Sequence, residues 1–284
     1  MPAGMCSVDV AELNQITMGK KLGSGSFGSV YAGILPSGQF VAVKELELAE
    51  DSPTDTEVEV HKKLVHENVI RYLHSRIDNE STPKRLYLYL EFVTGGSVSS
   101  LMKTLPNGHL PYPVVRVYSR QMFSGLEYLH RNKVAHRDIK GDNLLISMDT
   151  GIAKLADFDQ AKVMTTYGTL RQAATSTLAG TPYWMAPEVI TDENGYDPFK
   201  ADIWSAGCTV AEMITGRAPW TPMANVMHIM NKLAMSTGWP DAIPKDPNAL
   251  GSQEAYDFLD LCFRRTVAER PDAATLLQHP FLKV

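Results

Sequence analysis

The chain has 284 residues and a net charge of -5, with 44% hydrophobic and 21% charged residues, which is ordinary for a soluble globular protein with one or two domains. The acidic balance gives no support to nucleic acid as a main partner, and no uninterrupted run approaches eighteen apolar residues, so no membrane span is expected. Cys6, Cys208 and Cys262 are odd in number and far apart, which reads as reduced thiols in a cytoplasmic protein rather than a disulfide framework.

Residues 1–15 form a flank without clear pattern, and residues 16–22 read as a first strand. G-S-G-S-F-G-S-V then puts Gly23, Gly25 and Gly28 at G-x-G-x-x-G spacing, with Val30 two residues on. That spacing alone is weak. A dinucleotide fold requires a helix at once, whereas residues 30–35 are strand-like and lead through Pro36, Ser37 and Gly38 to another strand over 39–46. A hairpin whose backbone amides approach phosphates fits that order better; a plain glycine-rich turn is the other reading. The next strand carries V-A-V-K, and its Lys44 taken alone is an ordinary solvated lysine. Pro53 opens a charged segment, 54–65, that reads as a mobile helix. Strands over 69–73 and 86–92, separated by the polar turn 78–84, complete a five-stranded antiparallel group.

After Gly95 and Gly96 the apolar period changes from about 2 to about 3.6 residues. Val115, Tyr118, Met122, Leu126 and Leu129 line one face of a long helix introduced by Pro111 and Pro113. His130 and His136 read as structural, since no H-E-x-x-H or Cys/His cluster points to zinc. The helix runs into H-R-D-I-K-G-D-N, residues 136–143, and the strand-like Leu144, Leu145 and Ile146 leave it, so polar groups are pinned between two rigid elements. Phosphoryl transfer asks for an acceptor of the incoming hydroxyl proton, positive charge beside the moving phosphoryl and oxygen ligands for magnesium. Asp138, Lys140 and Asn143 supply these in that order. A short strand over 152–156 then reaches D-F-D at 157–159, followed by G-T-P-Y-W-M-A-P-E at 180–188, A-D-I-W-S-A-G at 201–207 and L-L-Q-H-P-F-L at 276–282.

H-R-D-x-K-x-x-N, with the glycine hairpin, V-A-V-K, D-F-D and A-P-E in this order, resembles the eukaryotic Ser/Thr protein kinases over residues 16–284. The resemblance implies an α+β, bilobal protein kinase fold. A small five-stranded antiparallel β lobe with one helix, ending in the hinge, would occupy 16–93, and a larger mainly α-helical lobe 94–284. It implies ATP and Mg2+ as cofactors. ATP would lie against Leu22, Gly23, Gly25, Gly28, Val30, Ala42, Leu90 and Leu145, with backbone groups of Glu91 and Val93 on the adenine. Leu90 would be the gatekeeper, and reads equally as ordinary core. Lys44 would hold the ATP phosphates and pair with a helix glutamate; alignment on H-x-N-V-I-R-Y-L from His66 selects Glu57, with Glu59 as the fallback. Asp138 would be the catalytic base, and Asn143 and Asp157 the magnesium ligands. The resemblance also implies that Asp202 anchors the catalytic-loop backbone, that Arg270 pairs with Glu188, and that Thr181 bonds near Asp138 and Lys140.

Regulation follows from the same resemblance. Arg137 would receive a phosphorylated activation-segment residue, at Thr177 by counting back from Gly180, with Thr175 and Ser176 as neighbours. Two positions depart from the family pattern: Asp159 stands where glycine is usual, and His61 where an apolar residue is usual. If position 159 needs positive φ, aspartate there costs about 1 kcal/mol more than glycine, and turning Phe158 outward becomes harder. The Asp159 carboxylate either faces the metal beside Asp157 or caps the following turn. L-E-F-V-T-G-G-S-V, H-R-D-I-K-G-D-N-L-L and G-T-P-Y-W-M-A-P-E-V-I are most similar to the MAP kinase kinase kinase group, which implies a MAP kinase kinase as the protein substrate. The last two phrases are shared with p21-activated-type kinases. No motif names an upstream activator. The alternative class is a pseudokinase or scaffold, favoured by Asp159 and His61 and opposed by the presence of Lys44, Glu57, Asp138, Asn143 and Asp157.

Overall fold

The computed structural model describes residues 9–25, 28–48, 58, 61–164, 182–191, 195–222 and 225–283. The chain divides into one unit formed by Met1–His66 and Ile70–Val93, and a second formed by Glu67–Val69 and Thr94–Val284.

The first unit is built on a five-stranded antiparallel sheet of β1 (Thr17–Gly25), β2 (Gly28–Ile34), β3 (Phe40–Glu47), β4 (Tyr72–Asp78) and β5 (Arg85–Glu91), in the order β1-β2-β3-β5-β4. A short helix, α1 (Val10–Leu13), precedes it, capped by the Asp9 carboxylate, which accepts the Ala11 N–H at 2.9 Å. Side chains alternate across a strand, so Val41 and Val43 face one side. There they join Leu13, Leu35 and Tyr89 in a buried core. The other side carries Val30, Ala42, Lys44 and Leu90.

β4 differs from expectation. It starts at Tyr72 and runs to Asp78 rather than occupying 69–73. As an edge strand it is paired on one side only and tolerates the polar run His74, Ser75, Arg76, which hides its period. Val69 belongs elsewhere: it bridges Leu155 in parallel, Asn68 Nδ2 donates to the Ala153 carbonyl at 3.0 Å and Leu155 N–H to the Asn68 carbonyl at 2.9 Å. These bonds place Glu67–Val69 with the second unit. Of the expected helix over 54–65, a terminal turn is described, with Lys62 N–H donating to the Val58 carbonyl at 3.0 Å. Glu57 and Glu59 lie outside the described residues.

The second unit is mainly helical. Its helices are α2 (Val98–Thr104), α3 (Tyr112–Arg131), α4 (Glu188–Thr191), α5 (Pro198–Thr215), α6 (Val226–Met235), α7 (Gln253–Cys262) and α8 (Ala273–Leu276). Pro111 and Pro113 open α3, and its buried stripe is Val115, Ser119, Met122, Phe123, Leu126 and Leu129. Tyr118 flanks that stripe half-buried instead of lying in it. α5 is buried nearly all round, which marks a helix in the centre of its unit. Asp197 caps its start by accepting the Phe199 and Lys200 N–H groups, and Gly216 ends it at φ 68°, where an added Cβ would stand 2.4 Å from the Gly108 carbonyl oxygen. Two short pairs flank the catalytic-loop segment: β6 (Val134–Ala135) with β9 (Lys162–Val163), and β7 (Leu144–Ile146) with β8 (Ala153–Leu155). Among the described residues no helix is long and apolar enough to cross a membrane.

Candidate active site

Sheet register assembles the candidate residues of the first unit. Lys44 lies opposite Val30 on one side and Leu88 on the other; Ala42 lies opposite Ala32 and Leu90. Opposed residues of antiparallel strands share a face, so Val30, Ala42, Lys44 and Leu90 line one surface. Lys44 is buried there, an environment that demands a partner for an ammonium. Gly28 faces Leu46, and a Cβ on it would stand 1.9 Å from the Glu45 carbonyl oxygen, so this position admits glycine alone. Gly23 has open space around it and Leu22 is exposed. The N–H of Glu91 donates to the Arg71 carbonyl at 3.0 Å, and its carboxylate accepts the Arg71 N–H at 2.7 Å. With its N–H engaged, the carbonyl is the backbone group of Glu91 left for the adenine contact expected there; Val93 follows at the end of the unit.

In the second unit the candidate residues converge on one loop. Lys140 Nζ lies 2.7 Å from Asp138 Oδ2, and Asn143 Nδ2 donates to that oxygen at 2.9 Å and to the Asp138 carbonyl at 2.8 Å. Two acceptors on the same side fix the Asn143 amide with Nδ2 toward Asp138 and Oδ1 on its other side. The Ala156 N–H donates to the Asn143 carbonyl at 2.9 Å, which sets Asp157 next to Asn143. Leu145 is the middle residue of β7, opposite Lys154.

A buried carboxylate holds the loop from below. Asp202 on α5 accepts the His136 N–H and the Arg137 N–H, both at 2.8 Å, and His130 Nε2 at 3.0 Å. Arg137 sits at φ 68° and Asp157 at φ 65°, conformations that L-residues adopt at a cost and keep only where surrounding bonds over-determine them. His136 completes the fixation: its Nε2 donates to the Ala156 carbonyl at 3.1 Å, and its Nδ1 accepts the Asp138 N–H at 3.3 Å. Both ring nitrogens are used in the neutral tautomer, and burial pushes its pKa below the ordinary value despite the nearby carboxylates. Phe158 packs on that ring, centroids 5.0 Å apart.

Residues 16–282 match the protein kinase domain family. The chain belongs to the protein kinase family. Its fold is the bilobal α+β fold of that family. It is 41% identical over 275 residues to mitogen-activated protein kinase kinase kinase A of Dictyostelium discoideum, covering 93% of this chain and 27% of that protein. It is 40% identical over 274 residues to mitogen-activated protein kinase kinase kinase 3 of Arabidopsis thaliana, covering 93% and 42%. Against mitogen-activated protein kinase kinase kinase 19 of Mus musculus the identity is 41% over 278 residues, covering 94% and 20%. The chain thus spans less than half the length of these curated relatives.

Other parts of this kinase domain fall into place around the loop. Glu188, which opens α4, receives Arg270 Nη1 at 2.6 Å and Nη2 at 3.2 Å, with Arg270 fully buried over the Trp204 ring. Arg137 Nη1 reaches the Gln160 carbonyl at 3.3 Å. Thr175, Ser176, Thr177 and Thr181 lie outside the described residues, as does the rest of the stretch between Met164 and Pro182. The strain expected at Asp159 is not found: among the described residues the non-glycine positions with positive φ are Lys133, Arg137 and Asp157. The unusual backbone sits at the first aspartate of D-F-D, Asp157, and position 159 has no positive φ. Sequence reasoning passed over Glu212, which lies on α5 within A-E-M-I-T-G and looks like a routine helix glutamate. Its burial on a helix that is apolar nearly all round is the signal that singles it out.

Proposed function

We propose that this chain is an ATP- and magnesium-dependent Ser/Thr protein kinase domain of the MAP kinase kinase kinase group, acting on a MAP kinase kinase. The names of its relatives support the group. The observation that carries the chemistry is the Asp138, Lys140 and Asn143 cluster, fixed by Asp202 and followed by Asp157. Asp138 accepts the proton of the incoming Ser or Thr hydroxyl, and Lys140 puts positive charge beside the transferring phosphoryl. Asn143 Oδ1 and Asp157 would hold magnesium; hard oxygen donors, few in number, suit an ion that fills its shell with phosphates and water. Bound there, magnesium supplies neutralisation of the phosphate charge. Lys44 and Glu57 position the phosphates, while Leu22, Gly23, Gly25, Gly28, Val30, Ala42, Leu90 and Leu145 enclose the nucleotide with the backbone of Glu91 and Val93. Arg137 receives a phosphate on the activation segment, at Thr177 or its neighbours Thr175 and Ser176, and Thr181 favours Ser/Thr acceptors.

Labelled ATP and magnesium with a catalytically dead MAP kinase kinase test this reading. Label on serine or threonine of that acceptor is the expected result. Nucleotide binding without transfer would turn the reading to a pseudokinase, and transfer to a generic basic protein alone would remove the MAP kinase kinase.

A further inference from the structure

Glu212 sits on the last turn of α5 and is buried among polar groups from three other segments. Ser99 Oγ, near the start of α2, donates to its Oε1 at 3.0 Å. The Gly141 N–H, in the turn that carries Asn143, donates to its Oε2 at 3.3 Å. Trp184 Nε1, in the segment that follows G-T-P, donates to the same oxygen at 3.1 Å. All three donors are neutral. Burial raises the carboxyl's pKa, and the donors from Ser99, Gly141 and Trp184 pull it back down. The fit is close: a Cβ at Gly141 would stand 2.6 Å from Ser99 Oγ and 3.0 and 3.1 Å from the two carboxylate oxygens. Trp184 is held a second time, by Ser205 Oγ on α5 donating to its carbonyl at 2.8 Å.

A buried carboxylate is costly unless its lone pairs are filled, and such groups are retained where they fix a geometry. Here the geometry is a register between two segments. One bond ends on the turn two residues before Asn143, whose amide holds Asp138. The other ends on Trp184, two residues before A-P-E opens at Ala186. We propose that Glu212 is a positioning residue for phosphoryl transfer, tying the turn that holds Asp138 and Asn143 to the Trp184 segment so that an acceptor hydroxyl presented along that segment meets the base in register. The proposal rests on the kinase reading above and adds a residue that neither binds ATP nor touches the reacting atoms.

The donor inventory sets the test. In Glu212→Gln the amide oxygen serves Gly141 and Trp184 while its NH2 meets Ser99, whose hydroxyl turns to accept, so all contacts survive without the charge. Glu212→Leu keeps the volume and loses every contact; Trp184→Phe removes one donor only. Wild type and the three variants are compared as folded proteins by thermal melting, by steady-state transfer to a catalytically dead MAP kinase kinase, and by KM for ATP. Glu212→Leu is expected to lose more than about tenfold in kcat/KM for the protein acceptor with KM for ATP within about twofold, because the register between base and acceptor is lost while the residues proposed to enclose the nucleotide are untouched. Trp184→Phe follows it in the same direction with a smaller loss, and Glu212→Gln stays within about threefold of wild type. If Glu212→Leu does not fold, Trp184→Phe and Glu212→Gln carry the same comparison. Acceptor kcat/KM unchanged in Trp184→Phe, or a Glu212→Gln defect equal to that of Glu212→Leu, overturns the proposal while leaving the kinase reading intact. Wild-type protein that transfers no phosphate overturns both.

Discussion

Asp138 receives both a cation and an amide on one carboxylate oxygen, and its backbone is fixed through His136 and Asn143. Asp138→Asn keeps that shape and removes the base, so transfer should fall by about 10²- to 10⁴-fold with ATP affinity within a few-fold. Equilibrium ATP binding and single-turnover transfer, measured on the same preparation, check the split. His136 predicts a pH effect. Its folded pKa lies below the ordinary value of 6.5, so between those two values the unfolded chain binds a proton that the folded chain refuses. The stability it contributes is therefore complete above pH about 6.5 and declines as pH falls below that. Urea midpoints at pH 7.5 and 5.5 should show the decline, and His136→Phe should show a shallower one on a lower baseline. Asp159 carries a different expectation from the one its sequence suggests. Since its φ is ordinary, Asp159→Gly relieves no strain and should leave stability equal or lower through added backbone freedom, as denaturant melts will register.

Among the elements, α5 organises the second unit: Asp202, Glu212 and Trp204 project from it to the catalytic loop, to Gly141 and Trp184, and to Arg270. Removing one partner of a buried ion pair costs more than the pair contributes, because the other charge stays behind. Arg270→Leu strands Glu188 and releases the Lys200 and Arg264 carbonyls, so a loss of about 3–5 kcal/mol is expected in denaturant unfolding. Arg270→Lys should recover little, since an ammonium lacks the fork that meets Glu188 and those carbonyls together. The catalytic loop, the α3 stripe and the β2–β3 hairpin were legible in the sequence because each pairs a strong local pattern with chemistry or periodicity. β4 was not, because an edge strand with polar residues on its open side loses its alternation. Glu212 was not, because a single glutamate in an apolar helix signals burial only once the helix is known to be central.

At the scale of the whole chain, the order of motifs from Gly23 to Arg270 specifies the fold class, since each is weak alone and their sequence is not. The change of period near Gly95 lies beside the division after Val93, whereas the transfer of Glu67–Val69 to the helical unit depends on hydrogen bonds to Ala153 and Leu155 that no local pattern announces. Glu57, Thr177 and Thr181 lie outside the described residues, so their roles rest on the family resemblance, while Asp138, Lys140, Asn143 and Asp157 are drawn together by bonds of this chain. The most direct measurement is the rate of label transfer from ATP and magnesium to a catalytically dead MAP kinase kinase by the wild-type chain and by Asp138→Asn. Transfer to serine or threonine by the wild type, reduced at least about 100-fold in the variant, is the predicted result; equal rates in the two, or none in the wild type, would contradict the assignment.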